Sequence, residues 1–77
     1  MTKSELVRVQ QYLRNVFGTE RIVLKERKPN DESAEVLIGG EFIGLIFRDE
    51  DEGEVSYAFN MAILDVDLPL VAGVPPE

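Results

Sequence analysis

The sequence predicts an α+β domain in which one N-terminal helix packs on a four-stranded antiparallel β-meander. Apolar residues recur every three or four positions as far as Phe17, which is the pattern of one side of a helix. After that point, short alternating stretches are separated by three turn signals, as in a meander. The 77 residues have room for one small core. We therefore expect a single domain over 1–68 and a proline-containing C-terminal tail over 69–77.

The helix has recognisable start and stop signals. Thr2 followed by Glu5 has the form of a capping box, in which each side chain bonds the backbone N–H of the other residue. Gly18 stands where a left-handed residue would end the helix. We expect the apolar side of the helix to cover one face of the sheet. That side consists of Leu6, Val9, Leu13, Val16 and Phe17, with Tyr12 at its margin.

The turn signals divide the rest of the chain into four strands, expected over 22–27, 33–38, 41–48 and 54–63. Residues 28–32 form the first turn cluster, Gly39-Gly40 is a two-residue hairpin turn, and 49–53 is a longer acidic loop. The alternation shifts between Ala62 and Leu64, which predicts a bulge or a bend. An extended edge segment is expected after it, over 64–68.

Pairing the strands across these turns places one set of apolar side chains on the side that the helix covers. In this register Leu24 faces Val36, Ile22 faces Ile38 and Lys25 lies opposite Glu35. Across the other two turns, Val36 faces Ile43, Leu45 faces Tyr57 and Arg48 pairs with Glu54. Because a slip of one residue would move a whole strand to the other face, the agreement between the hairpins supports the register. The predicted helix-facing set is Ile22, Leu24, Ala34, Val36, Ile38, Ile43, Leu45, Phe47, Val55, Tyr57, Phe59 and Met61.

The opposite face of the sheet is also rich in apolar side chains. One helix covers only one face, so this surface contacts a partner, is covered by the C-terminal segment 68–74, or stays exposed. A core of this size rarely supplies more than about 3–5 kcal/mol, and oligomerisation is a common remedy. We therefore expect a non-enzymatic protein-interaction module that binds a protein partner or forms a homodimer. The expected contacts are Val23, Lys25, Arg27, Glu35, Leu37, Phe42 and Ile46.

The net charge of −7 is unevenly distributed along the chain. Residues 1–30 carry seven basic and three acidic side chains, whereas residues 31–77 carry one basic and twelve acidic side chains. The overall charge repels nucleic acid, so nucleic-acid binding is not the expected function. The alternative function is a small nucleic-acid-binding regulator that uses the basic segment 21–28. Its contacts would be Arg21, Lys25, Arg27 and Lys28.

The residue types for most catalytic and metal sites are missing. The chain has no Cys and no His, which removes disulfides, thiolate zinc sites and the commonest general base. The acidic loop 49–53 lacks the spacing of a calcium loop, and Asp65 and Asp67 have no nucleophile or base beside them. Gly39-Gly40 leads into a strand and not into a phosphate-binding helix. We expect no enzyme activity, no metal, no cofactor and no small-molecule ligand.

The expected location is the cytoplasm. The longest apolar runs are only a few residues, too short for a membrane span. The first five residues lead into a charged helix and not into the apolar core of a signal peptide. No membrane partner is expected.

Several stretches of the sequence together resemble a known family. They are Tyr12-Leu13-Arg14, Phe17-Gly18, Ser33-Ala34-Glu35-Val36, Glu41-Phe42-Ile43-Gly44, Phe47-Arg48-Asp49-Glu50 and Ser56-Tyr57-Ala58-Phe59-Asn60-Met61-Ala62-Ile63-Leu64-Asp65. From about Leu6 to Leu68 the chain resembles domain-of-unknown-function family 3126, a small bacterial family met mainly in alphaproteobacteria. The resemblance implies a short cytoplasmic bacterial protein, and it brings no established activity, cofactor or site.

Overall fold

The computed structural model describes residues 1–28 and 31–76. Four strands form one antiparallel sheet in the order β1-β2-β3-β4. The predicted fold of one N-terminal helix and a four-stranded antiparallel sheet is confirmed. The elements are α1 (Lys3–Phe17), β1 (Ile22–Glu26), β2 (Ser33–Ile38), β3 (Glu41–Asp51), β4 (Glu54–Asn60) and a 3-10 helix (Asp65–Asp67). The turn predicted over 28–32 includes Pro29 and Asn30, which lie outside the described residues.

Both predicted ends of α1 are confirmed. The Thr2 backbone N–H donates to Glu5 Oε1 at 2.9 Å, and the Glu5 backbone N–H donates to Thr2 Oγ1 at 3.1 Å. Gly18 ends the helix in the left-handed conformation, with a φ of 65°. These local bonds satisfy backbone groups that an isolated helix end leaves unpaired.

Two hairpins of the sheet close through two-residue turns. In both turns the two residues have positive φ: Gly39 and Gly40 in the first, and Glu52 and Gly53 in the second. Positive φ at both positions is typical of the type I′ turn, whose twist matches that of the adjoining strands. The predicted five-residue acidic loop is therefore wrong, because β3 continues through Asp51. Glutamate is unfavourable at positive φ, so the sequence carries no strong signal for this short turn.

The register between β1 and β2 is as predicted. Leu24 faces Val36, and Lys25 faces Glu35. The agreement extends to the Ile22–Ile38 pair at the end of the ladder.

A β-bulge in β3 breaks the predicted register. Phe42 pairs with Leu37 and Gly44 pairs with Val36, so Ile43 is an extra residue with no partner in β2. The predicted Val36–Ile43 pair is therefore wrong. Ile43 is half-buried and packs against the core from this irregular position.

Beyond the bulge, the two sides of β3 are exchanged relative to the prediction. Ile46 lies on the helix side with 2% of its surface exposed, whereas it was predicted on the opposite side. Leu45 and Phe47, predicted to face the helix, lie on the other face of the sheet. The physical reason is that one extra residue in a strand reverses the alternation for all residues after it.

The short second turn also moves the register between β3 and β4. Arg48 faces Tyr57 and Asp51 faces Glu54, in place of the predicted Leu45–Tyr57 and Arg48–Glu54 pairs. The helix side of β4 nevertheless keeps the side chains predicted for it, because the bulge and the shorter turn together preserve its alternation.

The core lies between α1 and the first three strands. The backbone N–H of Leu24 donates to Gln10 Oε1 at 3.0 Å, and Arg14 Nε donates to the Ile22 carbonyl at 2.8 Å. These bonds fix α1 above β1. The buried core residues are Met1, Leu13, Ile22, Leu24, Ala34, Val36 and Ile46, with Leu6, Val9, Ile38, Ile43 and Phe59 packed against them. The burial of Met1 was not predicted from the sequence.

The chain leaves the sheet at Asn60, earlier than predicted. The shift in alternation near Ala62 marks the end of β4 and not a bulge within it. The predicted extended edge over 64–68 contains instead the 3-10 helix Asp65–Asp67. We call residues 61–76 the C-terminal arm, and every residue in it is exposed.

None of the helices in the two described ranges combines the length and the apolar character that a membrane span requires.

Candidate functional site

The sheet face opposite α1, the outer face, brings together five of the seven predicted contact residues. Val23, Leu37 and Phe42 form one row across β1, β2 and β3. Lys25 and Glu35 lie opposite each other in the next row. Val23 and Phe42 are exposed and Leu37 is half-buried, so the row presents an open apolar surface.

The other two predicted contact residues do not join this row. Ile46 is buried on the helix side. Arg27 follows β1 and donates to Ser33 Oγ at 3.3 Å, at the margin of the outer face, because Ser33 pairs with Phe47. The outer face gains Leu45 and Phe47, which sequence reasoning placed on the helix side. The signal that would have found them is Gly44, because a glycine inside a strand often marks a bulge.

The C-terminal arm does not cover the outer face in this structure. Its apolar side chains Leu68, Leu70, Val71 and Val74 are all more than half exposed. Of the three alternatives weighed for the outer face, coverage by this segment is therefore wrong.

A groove on the helix side of the sheet is an open apolar feature that was not predicted from the sequence. It has a volume of about 630 Å³ and lies between α1 and β4, with Ile46 of β3 at its base. Val16 and Phe17 were predicted in the core but are more than half exposed along this groove. The reason is that the bonds from Gln10 and Arg14 hold α1 above β1, at the far edge of the sheet from β4.

One end of the groove is closed by an aromatic pair. The rings of Phe17 and Phe59 meet edge to face, with centroids 6.4 Å apart and planes at 79°. This arrangement is one that aromatic rings favour. It joins the last residue of α1 to the end of β4.

A polar cluster centred on Glu5 lies at the other end of the groove. Arg48 Nε and the Tyr57 hydroxyl both donate to Glu5 Oε2, each at 2.6 Å. Arg48 also donates to Glu32 at 3.1 Å and to Glu50 at 3.2 Å. The Arg48 side chain is mostly buried, and its guanidinium is shared among three carboxylates.

The bonds of this cluster shift the pKa values of its members. The Thr2 backbone N–H, the Tyr57 hydroxyl and the Arg48 guanidinium lower the pKa of the Glu5 carboxyl from its ordinary 4.5 to about 2. The bond to Glu5 raises the pKa of Arg48 and, together with partial burial, raises the pKa of Tyr57. Glu5 is therefore ionised and Arg48 charged at neutral pH, so the cluster acts as a fixed ionic clasp between α1 and the sheet.

The basic segment considered for nucleic-acid binding has neighbours within the chain. The Arg21 guanidinium lies against Gly39, where an added Cβ would overlap it. Lys25 faces Glu35, and Arg27 lies 3.8 Å from the Asp31 carboxylate. Three of the four predicted contacts are thus beside other protein groups and not arranged around an open cleft.

The acidic residues considered for metal binding belong to a strand pair or to the arm. Asp51 faces Glu54 and Asp49 faces Ser56 along the β3–β4 ladder. Asp65 and Asp67 lie in the exposed 3-10 helix. Within residues 1–28 and 31–76, no three carboxylates are grouped so as to hold a metal ion.

Comparison with known proteins identifies the family. The family model described as "Protein of unknown function (DUF3126)" matches residues 5–67. The chain belongs to this family. Neither the curated proteins nor the solved structures gave a significant match.

The span of the DUF3126 match can be placed on the structure. It begins at Glu5, includes all four strands and both walls of the groove, and ends at Asp67 in the 3-10 helix. The polar clasp, the aromatic pair and the first part of the C-terminal arm therefore all lie inside the family region. Residues 68–76 lie beyond it.

The clasp predicts a specific loss of stability in acid. Because folding lowers the pKa of Glu5, its ionised form stabilises the native state above about pH 4.5, and this contribution is lost as the pH falls towards 2. We expect Glu5→Gln to be less stable than the wild type at pH 7. The difference should shrink between pH 4.5 and pH 2, as measured by urea unfolding at a series of pH values.

Glu52→Gln is the matched control, because Glu52 is an exposed carboxyl at the tip of the second hairpin. Its effect should not follow the same pH profile. A gap between wild type and Glu5→Gln that stayed constant from pH 7 to pH 2 would contradict the ionic role assigned to Glu5.

Proposed function

We propose that this chain is a non-enzymatic protein-interaction module whose groove between α1 and β4 receives an apolar segment of a protein. The observation that carries the proposal is the exposure of Val16 and Phe17 on the apolar side of α1. These side chains line the groove together with Ile46 and Phe59. A helix normally buries its apolar side against its own domain, so the exposure of this side of α1 indicates that a partner covers it.

Energetics favour an apolar protein segment in the groove. Complete burial of one Val, Leu or Phe side chain is worth about 1.5–3 kcal/mol. Two such side chains in the groove would also cover Val16 and Phe17, which adds buried area on both partners. These gains are similar in size to the stabilisation of about 3–5 kcal/mol that so small a core supplies by itself.

The outer face of the sheet is a second candidate surface for the same function. Its support is the row formed by Val23, Leu37 and Phe42, which extends over three strands. Leu45 and Phe47 widen the apolar area, and the Lys25–Glu35 pair provides a charged margin. A flat partner surface would suit this face better than a narrow segment would.

The nucleic-acid alternative has less support. Arg21, Lys25 and Arg27 each have protein neighbours, as described above, and the net charge is −7. A basic surface that binds phosphates needs several cations free to release counterions. We therefore favour protein over nucleic acid as the partner.

Site-specific photo-crosslinking in cells that naturally contain this protein tests the proposal. A photoreactive amino acid is placed at Val16 in the groove, at Phe42 on the outer face, or at Val7 on the polar side of α1. The three sites are matched, with 57%, 56% and 55% of the residue surface exposed. We expect a discrete protein adduct from position 16, and none from position 7.

Each outcome has one meaning. A discrete adduct from position 42 but none from position 16 would move the interaction to the outer face. Absence of a protein adduct at both positions, with normal yield and helix content, would refute an interaction module. Adducts of equal intensity from positions 7 and 16 would mean random collisions, and they would also count against the proposal.

A further inference from the structure

The C-terminal arm is an apolar segment that buries nothing in its own chain. Its large apolar side chains are all at least half exposed: Met61, Ile63, Leu64, Val66, Leu68, Leu70, Val71 and Val74. The radius of gyration is 15.2 Å, whereas a compact chain of this length has about 11–12 Å. The longest dimension is 48 Å, against 27 and 22 Å for the other two. The chain therefore holds an open apolar groove and an unburied apolar segment at the same time.

The two edges of the sheet differ in protection. On β1, side chains of α1 bond the backbone at Ile22 and Leu24. On β4, no group of the described residues other than those of β3 bonds the backbone. The ten residues 55–64 contain no charged side chain and no proline, which are the usual means of protecting an edge strand. An unprotected edge of this kind favours pairing with another strand.

From these observations we propose that two copies of this chain pair through their β4 edges, and that the C-terminal arm of each copy fills the groove of the other. This inference rests on the proposed function, because it names the segment that occupies the groove. The arrangement is a symmetric exchange in which the same contact is made twice.

The direction of β4 makes the exchange geometrically possible. At the middle of β4, the Tyr57 hydroxyl bonds Glu5 in the first turn of α1, and nearer the end of β4 Phe59 contacts Phe17 in the last turn. β4 therefore runs beside α1 in the same direction. An antiparallel second β4 would end near Glu54, at the Glu5 end of the groove. There the arm of the second copy leaves β4 pointing away from the groove, so it has to turn back once. Residues 61–76 are long enough for a turn followed by a segment along the groove, since six extended residues span about 20 Å.

The arm's own groove is less accessible to it. The arm begins at Met61, two residues after Phe59, at the end of the groove that the Phe17–Phe59 pair closes. To enter the groove of its own chain, the arm would have to reverse direction within a few residues and pass this aromatic pair. The arm of a second copy also has to turn back, but it arrives at the opposite end of the groove and does not have to pass the aromatic pair.

Charge also favours this pairing. Helix α1 carries three basic side chains and one acidic side chain, and Arg8 lines the groove. The arm carries Asp65 and Asp67 and no basic side chain. In an extended conformation, the segment Leu64–Leu68 would direct apolar side chains to one side and the two carboxylates to the other, towards Arg8. Glu5, the carboxylate in the groove lining, is already bonded to Arg48 and Tyr57. Complementary charges of this kind orient a contact more than they strengthen it.

The solution mass of the purified full chain is the first test. We expect twice the chain mass of 8.7 kDa by light scattering after size exclusion, at two protein concentrations and in low and high salt. The groove variant Val16→Asp and the arm variant Val66→Asp/Leu68→Asp should each raise the dissociation constant of the dimer at least tenfold. Val7→Asp is the matched control and should remain dimeric. Helix content by circular dichroism verifies that each variant is folded.

Mixing the two weakened variants makes the test specific for exchange. The groove variant retains a normal arm, and the arm variant retains a normal groove, so a 1:1 mixture has one complete arm–groove contact per heterodimer. We expect the mixture to recover a dimer fraction that neither variant reaches alone. The inference would be overturned if neither substitution weakened the dimer, or if the mixture did not recover a higher dimer fraction.

A spin label separates exchange between copies from folding back within one copy. The chain has no Cys, so Val74→Cys places a single label on the arm. Chains that carry the spin label but no ¹⁵N are mixed with ¹⁵N-labelled chains that carry no spin label. Broadening of the Val16 and Phe59 amide signals supports exchange. Broadening only when label and isotope are on the same chain would refute it, as would a monomer in the mass measurement.

The two proposals can fail separately. If the purified chain is monomeric but position 16 yields an adduct with a different protein in cells, the groove is an interaction site and the exchange is wrong. If no adduct forms at position 16 or at position 42, the interaction module itself is wrong. An adduct at position 16 with twice the chain mass supports both.

Discussion

Replacing Ile46 by Ala is expected to lower the free energy of unfolding by about 2–5 kcal/mol. Ile46 is almost fully buried at the base of the groove, so the shorter side chain leaves a cavity there. A core of this size supplies about 3–5 kcal/mol, so the variant should be largely unfolded near room temperature. Urea unfolding followed by circular dichroism measures the loss. The neighbouring position provides an internal comparison.

Leu45→Ala is the matched control for Ile46→Ala. Leu45 is half-buried on the outer face, so the same truncation should cost about 1 kcal/mol. A ladder without the bulge would place Leu45 inside and Ile46 outside, and would reverse the order of the two effects. A larger loss at Leu45 than at Ile46 would therefore disprove the bulge at Ile43.

Replacing Gly44 by Ala is expected to destabilise the end of the β3–β4 ladder by about 1–3 kcal/mol. A Cβ at Gly44 would lie 2.5 Å from the Asn60 carbonyl oxygen and 2.7 Å from the Phe59 ring. The first contact is with backbone, so β4 has to move for the methyl group to fit. In a domain of this size, 1 kcal/mol corresponds to about 4–8 °C in the melting temperature.

Gly73→Ala is the comparison for this substitution, because it adds the same methyl group in open space on the C-terminal arm. Its φ is positive, so it changes the local conformation of the arm but not the sheet. We expect a small change in melting temperature for Gly73→Ala and a large one for Gly44→Ala. Equal melting temperatures for wild type and Gly44→Ala would mean that the space beside Gly44 is not limited by the Asn60 carbonyl group.

The parts of the fold that the sequence predicts well are those decided by local interactions. The capping box of Thr2 and Glu5 and the stop at Gly18 involve residues a few positions apart. The Gly39-Gly40 turn fixes the first pairs of the β2–β3 hairpin, since Ile38 faces Glu41 as a two-residue turn requires. Such features depend on backbone preferences that short motifs encode directly.

The sides of β3 depend on an interaction that local motifs do not encode. The bulge at Ile43 allows Gly44 to lie beneath the Phe59 ring and next to Asn60, two residues of a different strand. The sequence offered one indication of this, the glycine within an otherwise apolar strand. Reading Gly44 as an ordinary strand residue reversed the predicted sides of Ile46 and its neighbours.

The groove was not predictable from apolar periodicity for a related reason. Periodicity identifies which side of α1 is apolar, but not which strand that side covers. The position of α1 depends on two polar side chains, Gln10 and Arg14, which bond the edge of β1. The clasp formed by Glu5, Arg48 and Tyr57 joins residues up to 52 positions apart, and no spacing rule relates them.

The bulge at Ile43 has a consequence for comparing related chains. Because no residue of β2 lies opposite Ile43, deletion of its codon leaves the Phe42–Leu37 and Gly44–Val36 pairs adjacent and in register. The lost residue removes the local irregularity and one half-buried side chain, but keeps both faces of the strand. In an alignment, a one-residue gap at this point is therefore compatible with the same sheet, whereas a gap elsewhere within β3 would exchange its faces.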